Sequence, residues 1–357
     1  MTATDGSAPS DMSRRIYVGA YTVAERPGAV ATYDLDAASG ALRLVDSVDA
    51  RSASFVAVHP SGRVVYAVSE GEKGTVAAYS VGADGRLSRV GPPRETGGAE
   101  PCHLSVAPDG RWLIVANYAS GSIAVLPLDS DGWLPGDRVD LVEHHGSGPD
   151  PSRQSGPHAH NVRFSPAGHL FAVDLGTDTI FTYRLDGASG EIESIATRRT
   201  PPGAGPRHIA FDRSGHAFVA CELDSTVLAY GVDAASGVLE HLATAPAVHG
   251  AFETDGPERN YPSEIAVGGD GRFLYVANRG TDVLTVFTID NGSPQSVADV
   301  PTGGANPRGF VLVDDLLLIA NQNSNSIAVF RVDTATGIPA PLGTPVERSG
   351  AACVVPA

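Results

Sequence analysis

The sequence predicts an all-β fold, a seven-bladed β-propeller with four antiparallel strands per blade, on three observations. First, a short apolar strand closing on Asp or a neighbour recurs seven times, over 29–36, 75–81, 123–129, 180–186, 227–233, 284–290 and 327–333. The copies close at positions 36, 82, 129, 186, 233, 290 and 333, separated by 46, 47, 57, 47, 57 and 43 residues. A period near 47 with two insertions of about ten marks a radial or solenoidal array. Second, each period carries four strand signals separated by Gly turns. Third, no stretch shows sustained helical periodicity. Four antiparallel strands repeated seven times is the pattern of a propeller.

Within a period the first strand ends in a Ser-Gly, Asp-Gly or Ala-Gly turn, as at Ser61-Gly62, Asp109-Gly110, Ala167-Gly168, Ser214-Gly215 and Asp270-Gly271. Gly supplies the positive φ that such hairpins require. A second strand follows at once, as in Val64–Ser69, Trp112–Asn117, Phe218–Glu222 and Phe273–Asn278. The recurring apolar strand is the third. A second turn, such as Ala38-Ser-Gly40, Ala188-Ser-Gly190, Ala235-Ser-Gly237 or Ala335-Thr-Gly337, leads to the fourth. The ends complete the ring. Ile16–Thr22 matches a second strand, while Ala351–Pro356 lies where a first strand should begin. The C-terminal segment is therefore expected to be the missing inner strand of the N-terminal blade.

Propellers grow by adding blades, so 357 residues are read as one propeller domain over 15–357 behind a disordered tail, Met1–Arg14. That tail has no apolar core, so it is read as neither signal peptide nor anchor. No apolar run reaches membrane-spanning length. Cys102, Cys221 and Cys353 are odd in number, far apart and in strand segments, which suits reduced core thiols in a cytoplasmic protein. A catalytic thiol at Cys102 or Cys221 is the competing reading. The formal net charge of −16 argues against nucleic acid or an anionic membrane as partner. It also requires any site for an anionic metabolite to concentrate its own Arg and His. A monomer or homodimer is expected, with neither metal nor organic cofactor.

In a blade the start of the first strand and the end of the second share one face of the disc. First-strand starts carry Cys102-His103, His158-Ala-His160, Arg207-His208, Ser263-Glu264 and Arg308; second-strand ends carry Asn117, Asp174, Glu222, Asn278-Arg279 and Asn321-Gln322. Ionisable side chains from five blades thus converge on one rim, as in a binding site. Each has a plainer reading. His158 and His160 form a candidate metal pair without an evident third ligand. Glu222 serves equally as a salt-bridge partner for Arg207 or Arg279. The three Asn suit backbone capping. His144 and His145, in an insertion at 139–157, read as solvated loop residues. A second insertion spans 246–262. Both are candidate lids or dimer contacts.

The segments Pro101-Cys-His-Leu104, Gln154-Ser-Gly-Pro-His-Ala-His160, Asp174-Leu-Gly-Thr-Asp178, Gly205-Pro-Arg-His208, Tyr261-Pro-Ser-Glu264, Leu274-Tyr-Val-Ala-Asn-Arg279 and Ala320-Asn-Gln322 resemble the lactonase family of seven-bladed propellers. The resemblance covers residues 15 to 356. That family includes propeller-type 6-phosphogluconolactonases and fungal carboxy-cis,cis-muconate cyclases. It implies a catalytic set of His160, Arg207, Glu222 and Arg279. One departure is Pro307-Arg308-Gly309, where many relatives carry Pro-Arg-His.

The resemblance implies metal-independent hydrolysis of a small anionic lactone, 6-phospho-D-glucono-1,5-lactone to 6-phosphogluconate in the pentose phosphate pathway. Lactone opening needs a base for water, donors for the oxyanion and a proton for the leaving alkoxide. Glu222 and His160 are alternative bases. Arg207 and Arg279 suit an oxyanion, carboxylate or phosphate. His103, His158, Glu264, Arg308 and Gln322 are expected to support substrate binding. Three other readings stand: a muconate-type cycloisomerase or lactonase acting on another anionic lactone, a metal-dependent hydrolase, and a non-enzymatic propeller binding a partner on its top face. The last expects an aromatic, apolar rim, against 6% aromatic residues overall.

Overall fold

The second and third strands of blade 3 are almost continuously buried, whereas the outer strands of blades 1 and 4 are mostly half-buried or exposed. This gradient follows from radial packing, because only the central strands have sheets on both faces. The structure is a computed structural model describing residues 13–24, 26–250 and 259–357. Among them seven antiparallel sheets are arranged radially, and no helix occurs. Six are four-stranded. In the seventh blade the outer edge is split between Pro339–Pro341 and Val346–Glu347, both pairing with Ser326–Val332.

Closure occurs as the termini suggest. Ala351–Pro356 pairs antiparallel with Ser13–Ala20 and becomes the innermost strand of blade 1. Ser13 and Arg14 already belong to that sheet, opposite Asp36 and Leu35. Apolar residues on facing sheets cement neighbouring blades; at the seam Leu318, Ala320, Ile327 and Val329 of blade 7 pack on Ile16, Val18, Ala31 and Tyr33 of blade 1. The departure at Gly309 has a steric cause here. A Cβ on Gly309 would lie 2.7 Å from the carbonyl oxygen of Ala352 and 3.1 Å from the Cα of Cys353. Blade 7 can approach the closing strand only because that side chain is absent.

The inner strands share an irregularity that places the site. In blades 3, 4, 5 and 7 the inner strand carries a β-bulge near its start, so that Cys102, His160, Arg207 and Arg308 are extra residues with no direct partner on the second strand. In blade 6 the irregularity takes in Ser263 and Glu264. A bulge bends the strand and re-aims the side chain it carries. These residues are therefore turned away from the regular in-out alternation. The insertion at 139–157 contains an element, since Asp140–Glu143 is the outer strand of blade 3. Residues 251–258 of the second insertion lie outside the described residues, as does the tail before Ser13.

Candidate active site

Glu222 is the hub of the rim. It occupies the turn after His216–Cys221, where its N–H donates to the carbonyl of Gly205 at 2.8 Å. Arg153 Nη2 donates to its Oε1 at 2.6 Å and Arg279 Nη2 to its Oε2 at 2.6 Å. Arg207 Nε lies 3.1 Å from the same Oε2 as an ion pair whose N–H is not aimed along a hydrogen bond. Arg207 Nη1 instead donates to the carbonyl of Ser263 at 2.6 Å. Arg279 is further held through Nε, which donates to the carbonyl of Tyr261 at 3.2 Å. The salt-bridge reading of Glu222 thus holds for both expected arginines and extends to a third.

Arg153 was not singled out by the sequence. It lies in the insertion that reads as loop, without strand periodicity or motif spacing to mark it. Its position is built by neighbours. Asp150 accepts the backbone N–H of Ser152 and Arg153. Gln154, fully buried, donates to the carbonyl of Leu175 at 2.9 Å and to Asp178 Oδ1 at 2.8 Å. Asp178 also accepts the N–H groups of Gly203 and Gly205, at 2.7 and 2.8 Å, just before Pro206-Arg207. One buried carboxylate therefore positions both the loop bearing Arg153 and the strand bearing Arg207.

The charge balance is uneven. Arg207 is almost fully buried, and burial, then Arg279 and Arg308, push its guanidinium down to about 9 despite Glu222 and Glu264. Such a depression marks surplus positive charge in a dry place. Burial alone would raise the Glu222 carboxyl, yet Arg279, Arg207 and Arg153 overcome it and hold it well below the usual carboxylate range. Arg308 lies over the ring of Tyr21 at 5.0 Å, and the Tyr21 hydroxyl donates to Glu70 Oε2 at 2.6 Å.

Histidines form the floor. His160 is buried, with Cys102 Sγ 3.9 Å from its Nδ1 and the Tyr118 ring edge-on at 5.5 Å. Burial, then Arg207 and His208, hold His160 well below the usual histidine range, so it is a neutral imidazole. His158 stacks on Tyr118 at 4.4 Å with Nδ1 3.0 Å from the Tyr118 carbonyl. His103 is tilted against Phe55 at 4.0 Å and edge-on to His208 at 5.4 Å. Glu264 bonds not to the arginine cluster but to His208, Oε1 to Nδ1 at 2.9 Å. Gln322 turns to its own blade, where Oε1 accepts from Asn306 at 3.2 Å. His160, Arg207, Glu222 and Arg279 are thus brought together; His103 and Glu264 belong to a deeper layer, and Gln322 to a turn.

Three other expectations change or resolve. His144 is not solvated: it is buried, with Nδ1 2.7 Å from Asp174 Oδ2, Nε2 3.0 Å from the Tyr183 hydroxyl and its ring stacked on Phe181. An Asp from the neighbouring blade satisfies it, a pairing that sequence spacing does not display. The thiols of Cys102 and Cys221 are buried and pushed up by that burial, so neither supplies a thiolate at neutral pH. Asn278 and Asn321 cap backbone carbonyls, of Ala247 and Thr302, as expected, whereas Asn117 donates to the Ser122 hydroxyl. Among the described residues no three His, Cys, Asp or Glu are grouped to hold a metal ion. Grooves of about 230 and 430 Å³ at the Asp270-Gly271 turns bring together turn residues and isolated carboxylates rather than convergent donors.

Comparison with known proteins decides the family. The family model described as lactonase, 7-bladed beta-propeller, matches residues 15–356. This chain belongs to that lactonase family. The 6-phosphogluconolactonase of Bacillus subtilis is 33% identical over 331 residues, 90% of this chain and 92% of the relative. The 6-phosphogluconolactonase of Formosa agariphila is 30% identical over 338 residues, 90% and 93% of the two chains. The periplasmic gluconolactonase of Pseudomonas aeruginosa superposes with a TM-score of 0.89 at 31% identity, over 96% of this chain and 99% of that one. No helix among the described residues is long and apolar enough to cross a membrane.

Proposed function

We propose that this protein hydrolyses an anionic sugar lactone, with 6-phospho-D-glucono-1,5-lactone as substrate and 6-phosphogluconate as product. Family membership and relatives named 6-phosphogluconolactonase support the reaction class. One observation carries the anion: three guanidiniums converge on a single buried carboxylate, leaving surplus positive charge beside a neutral imidazole. A phosphate or carboxylate on the substrate offsets that surplus.

The geometry favours His160 over Glu222 as the base. Both Glu222 oxygens are engaged by cations, which makes the carboxylate a weak acceptor. His160 Nε2 has no protein partner among the described residues, and the ring is neutral. In the proposed step a water proton passes to His160 as the water oxygen bonds to the lactone carbonyl carbon. The carbonyl π pair moves to oxygen, where Arg207 and Arg279 stabilise the oxyanion. Collapse breaks the ring C–O bond, and the imidazolium returns its proton to the leaving alkoxide. Glu222 holds the guanidiniums in place, while Arg308 and His158 extend the binding surface. Three buried free cysteines support a reducing, cytoplasmic setting.

The test is hydrolysis of freshly prepared 6-phosphogluconolactone beside unphosphorylated gluconolactone, with Arg207→Ala alongside and a chelator present. Wild-type turnover above the spontaneous rate, loss of at least a hundredfold in the folded variant, and indifference to chelator are expected. Wild-type turnover no faster than background on either lactone overturns the proposal.

A further inference from the structure

Beneath His160 lies a second polar layer that the reaction as written does not use. His208 is 3% exposed, and its ring centroid is 5.2 Å from that of His160 at an interplanar angle of 61°. On its other side His208 Nδ1 is 2.9 Å from Glu264 Oε1. That oxygen also accepts the N–H of Ile265 at 3.1 Å. With the proton on Nδ1 of His208, Glu264 Oε1 accepts a second N–H beside that of Ile265, and His208 Nε2 is left a bare acceptor. The sequence places the three side chains apart, on the inner strands of blades 4, 5 and 6, and the ring brings those strands side by side.

The need for such a layer follows from the charges above it. Around His160 stand Cys102, Tyr118, Arg207, His208, Glu222 and Arg308. The arginines oppose an imidazolium at this position, and Glu222 is already committed to three cations. Around Glu264 stand Arg163, His103, His208, Arg207 and Cys353. Arg163 makes no ion pair closer than 4.0 Å among the described residues, so the Glu264 charge is not cancelled by contact. Its field reaches upward through neutral His208, in an environment where water screens little.

Resting on the lactonase reading, we propose that Glu264 and His208 are a positioning pair for His160. Glu264 fixes the His208 tautomer, and the negative end of the pair supports the imidazolium formed when His160 takes the water proton. Glu264 therefore acts on the reaction without touching substrate. Its conversion to a neutral isostere removes the supporting charge and makes His160 a weaker base.

The experiment uses the full chain and two readouts. In Glu264→Gln the acid limb of the kcat profile moves to lower pH by about one unit, the size of a unit-charge effect at an effective dielectric near 20. With it kcat falls about tenfold while KM stays within twofold. His208→Gln leaves the Glu264 charge in place and moves the acid limb less than Glu264→Gln does, and the double variant moves it no further than Glu264→Gln alone. An unchanged acid limb in folded Glu264→Gln overturns the proposal, because a merely structural role moves stability and not the profile. Histidine NMR keeps the test independent of activity and of variant folding. In the wild type His208 must be the neutral Nδ1–H tautomer at pH 7, and an Nε2–H tautomer overturns the proposal. In Glu264→Gln the His160 titration must move down. If wild type hydrolyses no lactone, the functional reading fails, and the two NMR outcomes still decide the coupling.

Discussion

Replacing Glu222 by Gln isolates the central claim about the rim, because it removes one charge from three guanidiniums while preserving shape. The cost depends on which arginine can reach water. Arg153 is 33% exposed and Arg279 14%, so both can rehydrate, and their pairs contribute at most about 1 kcal/mol each. Arg207 is 2% exposed and rehydrates far less than the other two. Leaving such a charge without its partner costs about 3–5 kcal/mol. Glu222→Gln should therefore lose roughly that much stability in urea unfolding followed by circular dichroism. Inorganic phosphate supplies the missing negative charge. At about a hundredfold excess over its Kd it should return about 2.7 kcal/mol, with tighter binding to the variant than to wild type. A variant within 1 kcal/mol of wild type and equally indifferent to phosphate would refute the reasoning, since Glu222 would then not be holding Arg207 charged.

Three further outcomes follow from the same geometry. Arg153→Ala removes a partly exposed side chain from a loop anchored by Gln154 and Asp178, so Tm should stay nearly constant while KM for an anionic lactone rises about tenfold, or 1.4 kcal/mol; steady-state kinetics on the phosphorylated and unphosphorylated lactones checks it. His103, His160 and His208 all have folded-state values well below 6.5, burial being the first cause. Protonation is then open only to the unfolded chain, so stability is present above about pH 6.5 and is lost as pH falls below it, by up to about 4 kcal/mol per pH unit for three protons; urea titrations from pH 7.5 to 5 read the slope. Gly309→Ala puts a methyl 2.7 Å from the Ala352 carbonyl oxygen and should cost about 1–3 kcal/mol, measurable as a lower urea midpoint without a change in KM.

The amino-acid sequence by itself determined the repeat, the order of the strands and the ring closure. These are set by local chemistry: apolar strands of regular length, Gly at the positive-φ turn positions such as Gly62 and Gly215, and an orphan strand at each end. It also brought out His160, Arg207, Glu222 and Arg279, because the ends of first and second strands must share one face of a blade. What only the tertiary structure decided is how deep each side chain lies and what it meets from other blades. Arg153 joins the cluster from a loop with no periodicity, His144 finds its Asp on the next blade, and Glu264 drops below the rim to His208. The physical reason is that these partners are tens of residues apart along the chain, and a one-residue bulge, invisible in composition or period, turns each inner-strand side chain to a new direction.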